Sequence, residues 1–417
     1  MNINFTIECE TCGERTNIRF GLSNREVQPV RFACQSCGSP IDITIGRRLG
    51  EIEGAKEVAG AQPFDAETSF VDLHIDFPVL FGPYEMGMTP FMRAAGRVGF
   101  EEMQIHVARL NHLNDEMAKA RFFQTLLKLY AKERWVPFRL NIERTFGIKV
   151  QSDRPEDTNA ALYLLIAHMM AAYEFPGDNR QAADDHFKAV MRIAEAHKAE
   201  LDDFISRITD NKFLKNLQLD VLEIYPKMLD AELVIRPALF LDFDEEYAAN
   251  PIPMRVSAQK FETFKDLYKD IAEIIGREII LVAALNNLEK RGSPDAFAPV
   301  INKKGDDRAP KTLDDFANLP LGSKLEFLDE PWVDLAEGVL DNRLRNAIAH
   351  YKTEYDDITQ VITYFPSREG MGQEKGETMY FLEFVRGLLL IYREMHRLHH
   401  LIKALFYYRY LILKDAP

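Results

Sequence analysis

Apolar and polar residues alternate in steps of two at the start of the chain. "NINFTI", "TNIRF", "VRFA" and "IDITI" each read as a short strand with one buried face. The Gly-, Ala- and Glu-rich "GRRLGEIEGAKEVAGAQPF" that follows predicts a linker or a poorly packed connection. After a strand-like "FVDLHIDF" the period lengthens to that of helices. Thr89 as N-cap and Pro90 at the first helical position open a long, mainly helical region, and helical patterns recur over residues 158–174, 179–208 and 211–228. A strand-like "ALFLDFD" and the proline-rich "NPIPM" close this region near Met254.

In the last part of the chain, Phe261, Phe264, Tyr268, Ile271 and Ile275 recur every three or four positions and predict one long amphipathic helix. A polar segment over 292–322 follows, and "DEPWVDLAEGVLDNRLRNAIAH" predicts a second helix starting at Pro331. "ITQVITYF" and "ETMYFLEF", around a glycine-rich turn, suggest a β-hairpin. The final helix, over 383–413, is apolar around much of its circumference, and helices of that kind often pack across a subunit boundary. The expected fold is therefore mainly α in three parts. Residues 1–50 form a small β module, 51–254 a mainly helical middle region, and 255–417 a helical bundle with a short β-hairpin. No period of 20–50 residues repeats, which argues against a solenoid.

With 417 residues, 47% of them hydrophobic, the chain can bury two or three cores. Its formal net charge of −14 means that a nucleic-acid partner must meet a local basic patch. The greasiest stretch carries Arg386, Arg393, Arg397, Lys403 and Arg409, whose insertion into a bilayer would cost several kcal/mol. No apolar run suggests a signal peptide, so the expected compartment is cytoplasmic, with no membrane partner.

All four cysteines fall in two C-x-x-C pairs, Cys9/Cys12 and Cys34/Cys37, with 21 residues between the pairs. That spacing predicts a zinc ribbon holding one structural Zn2+ per chain, each pair giving two thiolates from one tight turn. Gly13 and Gly38 directly follow each pair, where such a knuckle tolerates a left-handed backbone. Two disulfides are the alternative, and cytosolic redox chemistry disfavours them. Four thiolates close the coordination shell, so the expected ion catalyses nothing.

Near the C-terminus, "DNRLRNAIAH" places two arginines, an asparagine and a histidine at helical spacing. An arginine four to six residues before a histidine also occurs at Arg180–His186, Arg192–His197, Arg393–His399 and Arg393–His400, so spacing alone selects nothing. At about 100° per residue, Asn346 and His350 lie roughly 40° apart, Arg343 within about 20° of His350, and Arg345 about 140° away. Helix geometry thus favours Arg343 as the partner of His350, with Arg345 reachable from a frayed helix end.

"RNAIAH" resembles the catalytic R-N-x-x-x-H element of the HEPN superfamily, helical domains that include many metal-independent endoribonucleases. The resemblance implies a HEPN-like nuclease domain over 255–417, with Arg345, Asn346 and His350 as the catalytic residues and Arg343 in support. It also implies a homodimer or larger homo-oligomer that pairs two such clusters, and RNA products ending in a 2′,3′-cyclic phosphate. A four-cysteine ribbon, a helical middle and a HEPN domain together resemble the ring-activated zinc-finger RNases of bacterial phage defence. That architecture implies an antiviral toxin of the abortive-infection type, dormant until the ribbon and middle region sense a phage protein. The chemistry suits the residues. Histidine titrates near neutrality for proton transfer, arginine holds phosphate oxygens, and RNA supplies its own 2′-hydroxyl nucleophile.

Two other readings stand beside this one, a non-catalytic HEPN adaptor and a zinc-ribbon nucleic-acid-binding regulator. Among other candidates, His74 and His168 are expected as packed residues, and His396, His399 and His400 are expected to face a partner helix or RNA. Asp242, Asp244, Glu245 and Glu246 in "LDFDEEY" are expected as a solvated acidic turn rather than a metal site.

Overall fold

The alternating segments at the N-terminus form four strands in the computed structural model, which describes residues 1–46, 48–175, 177–258, 261–333, 341–366 and 375–413. These are β1 (Asn2–Cys9), β2 (Arg15–Gly21), β3 (Gln28–Ala33) and β4 (Pro40–Ile45). The two hairpins belong to different sheets. Their inward residues Phe5, Ile7, Ile18, Phe20, Ile41 and Ile43 share one buried cluster.

The expected linker is not a linker. Leu49–Glu53 (β5) pairs with β4, and Ala55–Val58 (β6) pairs with β1, both antiparallel. Ser69–Leu73 (β7) adds parallel to β2, so the four-stranded sheet runs β6-β1-β2-β7 and the three-stranded sheet β3-β4-β5. Glu51, Glu53, Lys56 and Glu57 point to solvent from the two edge strands. Charge and glycine are the normal dress of a sheet edge, and composition alone reads them as a loop. Gly54, at φ +80, turns β5 into β6 where a Cβ would meet the Pro40 carbonyl oxygen at 2.4 Å.

Elsewhere the fold is mainly helical. Pro90–Val98 opens as expected, with Thr89 capping the Met92 amide, and it ends at Gly99, where φ is +90. The pattern over 179–208 divides at His197 into Asp178–Ala196 and Lys198–Asp210. "ALFLDFD" is not a strand; its first three residues complete the helix Glu232–Phe240. Every side chain of that helix except the partly buried Leu233 is buried, and an uninterrupted apolar run looks the same in either conformation. The long helix appears as Phe261–Arg291. The expected hairpin gains a third strand, with Thr353–Asp356, Val361–Tyr364 and Glu377–Tyr380 all antiparallel. The expected helix from Pro331 is seen as Asn342–Ala349; residues 334–340 and the glycine-rich turn over 367–374 lie outside the described residues. Phe381–Tyr407 buries nearly all its apolar side chains within the single chain, so its greasy circumference needs no second subunit to explain it.

Chain contacts divide the protein into two units that cut across the expected boundaries at 50 and 254. The first unit gathers Met1–Met117, Leu229–Asp266 and Arg343–Leu389, and the second Ala118–Met228, Leu267–Asn342 and Leu390–Pro417. The cysteine module and the Arg345–His350 segment therefore fall in the same compact unit. Inside it, Asp72 accepts from Arg19 at 2.7 and 2.5 Å, and the fully buried Arg236 pairs with Asp76 at 2.8 Å and with Glu232. Both of these buried guanidiniums thus have a carboxylate partner.

Candidate metal centre and active site

Each cysteine pair sits at the turn of one hairpin. The Gly13 amide donates to the Cys9 carbonyl and the Gly38 amide to the Cys34 carbonyl, both at 2.9 Å. Both glycines have positive φ, +75 and +74, which closes the knuckle without a Cβ clash. Sulfurs about 2.3 Å from one tetrahedral ion lie about 3.8 Å from one another. Cys9 Sγ and Cys37 Sγ are 3.8 Å apart, Cys12 Sγ and Cys34 Sγ 3.7 Å, and all four lie within 4.8 Å. A disulfide needs about 2.05 Å, and all four thiols are free. The set fits a closed four-thiolate metal site. Ser39 Oγ, 3.2 Å from Cys37 Sγ, draws that thiol down to about 6, while burial pushes Cys34 up to about 12. Cys37 is thus the readier of the two to supply the thiolate a metal requires.

The helix Asn342–Ala349 is anchored on one side by Leu344, Ala347 and Ile348, all buried. The i, i+3, i+4 rule then turns Arg343, Asn346 and His350 outward, and all three are exposed, with Arg345 half-buried between the faces. Arg345 Nη1 donates to Asn346 Oδ1 at 2.9 Å, and desolvation pulls the Arg345 pKa below the ordinary arginine value. Arg343, the choice of ideal helix geometry, forms an ion pair with Glu377. The motif neighbours Arg345 and Asn346 are therefore joined directly, while His350 meets Asn346 through its backbone amide, 3.0 Å from the Asn346 carbonyl oxygen.

The helix ends in a double closure. Lys352 N donates to Ala347 O at 2.8 Å and Tyr351 N to Ile348 O at 3.2 Å, the pairing of a Schellman cap. That cap puts His350 at the last half-helical position and forces Tyr351 into the left-handed region, at φ +57. Tyr351 is 87% exposed, so its side chain does not hold it there. Sequence reading passed over it. The available signal was the missing glycine after His350, which leaves a bulky residue at the cap.

The remaining candidates follow expectation only in part. His74 is packed, stacked on Phe77 with ring centroids 3.8 Å apart, but His168 is exposed beside Phe146. His396, His399 and His400 are buried and so do not face RNA. Tyr225 Oη lies 2.7 Å from Nδ1 of both His396 and His399, and His400 Nε2 lies 3.2 Å from Asn179 Oδ1. The acidic turn is not simply solvated: Asp242 pairs with Arg109 and Arg386, and Asp244 with Arg97. Three arginines so placed use those carboxylates structurally.

Among the described residues, no helix is long and apolar enough to cross a membrane. In comparisons with protein-family models, curated proteins and solved structures, nothing matches this chain.

Proposed function

We propose that the chain is a metal-independent endoribonuclease of HEPN type, with Arg345, Asn346 and His350 as its site and one structural zinc on Cys9, Cys12, Cys34 and Cys37. The observation that carries this reading is the display of the three motif residues at one accessible helix end, with Arg345 and Asn346 hydrogen-bonded at 2.9 Å. In the reaction, the RNA 2′-oxygen bonds to phosphorus as it gives up its proton, and the P–O5′ bond breaks as the departing oxygen gains one. A 2′,3′-cyclic phosphate and a 5′-hydroxyl result, with no water consumed. His350 handles protons, Arg345 binds the phosphate oxygens, and Asn346 orients the guanidinium. One chain offers one histidine in the site, and two proton transfers suit a pair of sites in a homodimer.

The defence role extends the architectural resemblance: a cytoplasmic toxin, dormant until a phage protein binds the cysteine module and the adjoining helical region, then cleaving cellular RNA. Such a partner must bind the active arrangement more tightly than the dormant one. Purified protein incubated with total RNA in EDTA-free buffer and after brief EDTA treatment, with and without candidate phage proteins, tests both parts. Cyclic-phosphate ends that appear in both buffers and vanish in His350→Ala support the enzyme. Intact RNA under every condition favours a non-catalytic adaptor.

A further inference from the structure

The second unit contains a pocket of about 420 Å³ that none of the motif residues lines. That volume is ordinary for a small-molecule site. Four aromatic rings wall it. Tyr130 and Trp135 meet edge to face at 5.3 Å and 74°, and Phe406 lies 4.4 Å from Tyr410. Behind them Gln218, only 7% exposed, donates from Nε2 to Asn159 Oδ1 at 3.2 Å, and Tyr130 Oη donates to the same oxygen at 2.9 Å. A buried amide on the pocket lining is thereby held in place.

Charge is gathered at the rim. Lys215, which pairs with Glu133, and Arg409, whose Nη1 lies 3.5 Å from Ser206 Oγ, are the two cations of the lining, and its second carboxylate, Asp153, is engaged at 2.9 Å by Arg139 from outside the pocket. Two uncommon backbone states also meet at the pocket. Glu133 adopts φ +55, a left-handed conformation that costs energy for a residue with a Cβ. Arg409 and Tyr410 are presented by a π-helical turn, Tyr408–Leu413, a rare form that recurs at functional sites.

We propose that this pocket binds a flat aromatic small molecule carrying an anionic group. The ring lies against the aromatic walls, whose faces and edges stack on a π-system. The anion meets Arg409, a planar donor of paired hydrogen bonds, and Lys215, which can exchange Glu133 for the ligand. A nucleoside phosphate and a simple aromatic acid share this chemistry, and titration separates them.

The chain has two tryptophans, Trp135 and Trp332, so Trp332→Phe leaves Trp135 as the sole indole reporter. Full-length Trp332→Phe protein is titrated with adenosine 5′-monophosphate, 4-hydroxybenzoate, adenosine and inorganic phosphate, with calorimetry in parallel on the wild type. Saturable Trp135 quenching by at least one of the two aromatic anions, with Kd below about 1 mM, is expected. Adenosine and phosphate alone should bind about tenfold more weakly or worse, and Arg409→Gln should weaken the anion by about tenfold with its circular dichroism unchanged. Absence of binding by both aromatic anions overturns the proposal. So does equal binding of adenosine, or unchanged affinity in both Arg409→Gln and Gln218→Ala.

Discussion

Arg345 donates a hydrogen bond to the side-chain oxygen of its own neighbour, Asn346, at 2.9 Å. The contact orients the guanidinium from a half-buried position, while Arg343, closer in angle to His350 on an ideal helix, is ion-paired with Glu377. For the proposed cleavage, Arg345→Ala and His350→Ala should each lower the rate by about 10²-fold or more, the usual cost of losing a transition-state donor or a proton-transfer group. Asn346→Ala should cost less. Arg343→Ala should stay within about threefold of wild type, since its pair is largely exposed. A dead Arg343→Ala beside an active Arg345→Ala would reverse the assignment.

The cysteine module and the Arg345–His350 segment fold in one unit, and a Cβ added at Gly38 would sit 3.9 Å from Ile358 Cδ1, in the turn before Val361–Tyr364. Loss of the proposed zinc should therefore reach beyond the knuckles. Cys34→Ser should bind less than one zinc per chain and melt earlier, with a destabilisation of at least about 3 kcal/mol because metal binding at such a site is folding energy. Metal analysis and thermal melts with and without chelator read this out. Freshly purified protein without metal and with an unchanged melt under chelator would refute it.

Tyr351 occupies a left-handed cap position that glycine fills without strain. Its high exposure leaves little packing to lose. Tyr351→Gly should accordingly stabilise the fold by roughly 0.5–1 kcal/mol in urea titration. A loss of stability would mean that the ring makes contacts worth more than the backbone strain.

Burial of His396, His399 and His400 sets a pH dependence. Desolvation pushes His396 down to about 3 and the other two well below the normal imidazole value, with the charge of Lys403 adding to the effect. The unfolded chain takes up these protons near pH 6.5 and the folded one resists them. The stabilisation is thus complete above about pH 6.5 and is lost on acidification, by up to about 1.4 kcal/mol per pH unit per histidine. Urea midpoints measured from pH 7.5 to 4.5 should fall, and His400→Gln should flatten the slope. An identical slope in that variant would be the contrary result.

Glu278 works in the opposite sense. Both of its carboxyl oxygens are buried without a hydrogen-bond partner, and desolvation, then the charge of Glu394, raises its pKa well above the usual range. Its contribution is complete below about pH 4.3 and is lost as the pH rises, because the unfolded carboxyl ionises there and the buried one resists. Glu278→Gln should be neutral near pH 4 and stabilising by about 1 kcal/mol or more at pH 8. Parallel denaturation curves at the two pH values decide it.

Local signals were enough for the metal set and the helix caps. Two C-x-x-C pairs, each followed by glycine, specify knuckles through bonds between near neighbours, and Thr89-Pro90 specifies a helix start in the same way. The mainly helical character, the long helix from Phe261 and the two C-terminal strands were likewise legible, since a period of 3.6 or 2 reports which face is buried. What the period does not report is the partner of that face. Edge strands β5 and β6 looked like a linker because their outer residues are charged, and the apolar run that ends the helix Glu232–Phe240 looked like a strand because it is buried without a polar face. Only the tertiary structure joined residues distant in sequence, as where the Gln360 amide accepts from Val256 N at 2.8 Å and donates to Val256 O at 3.0 Å. The same holds for the choice between arginines: helix angles favoured Arg343, and Glu377, 34 residues further on, is what engages it. Contacts of that range depend on where the backbone returns, and no local pattern of side chains encodes the return.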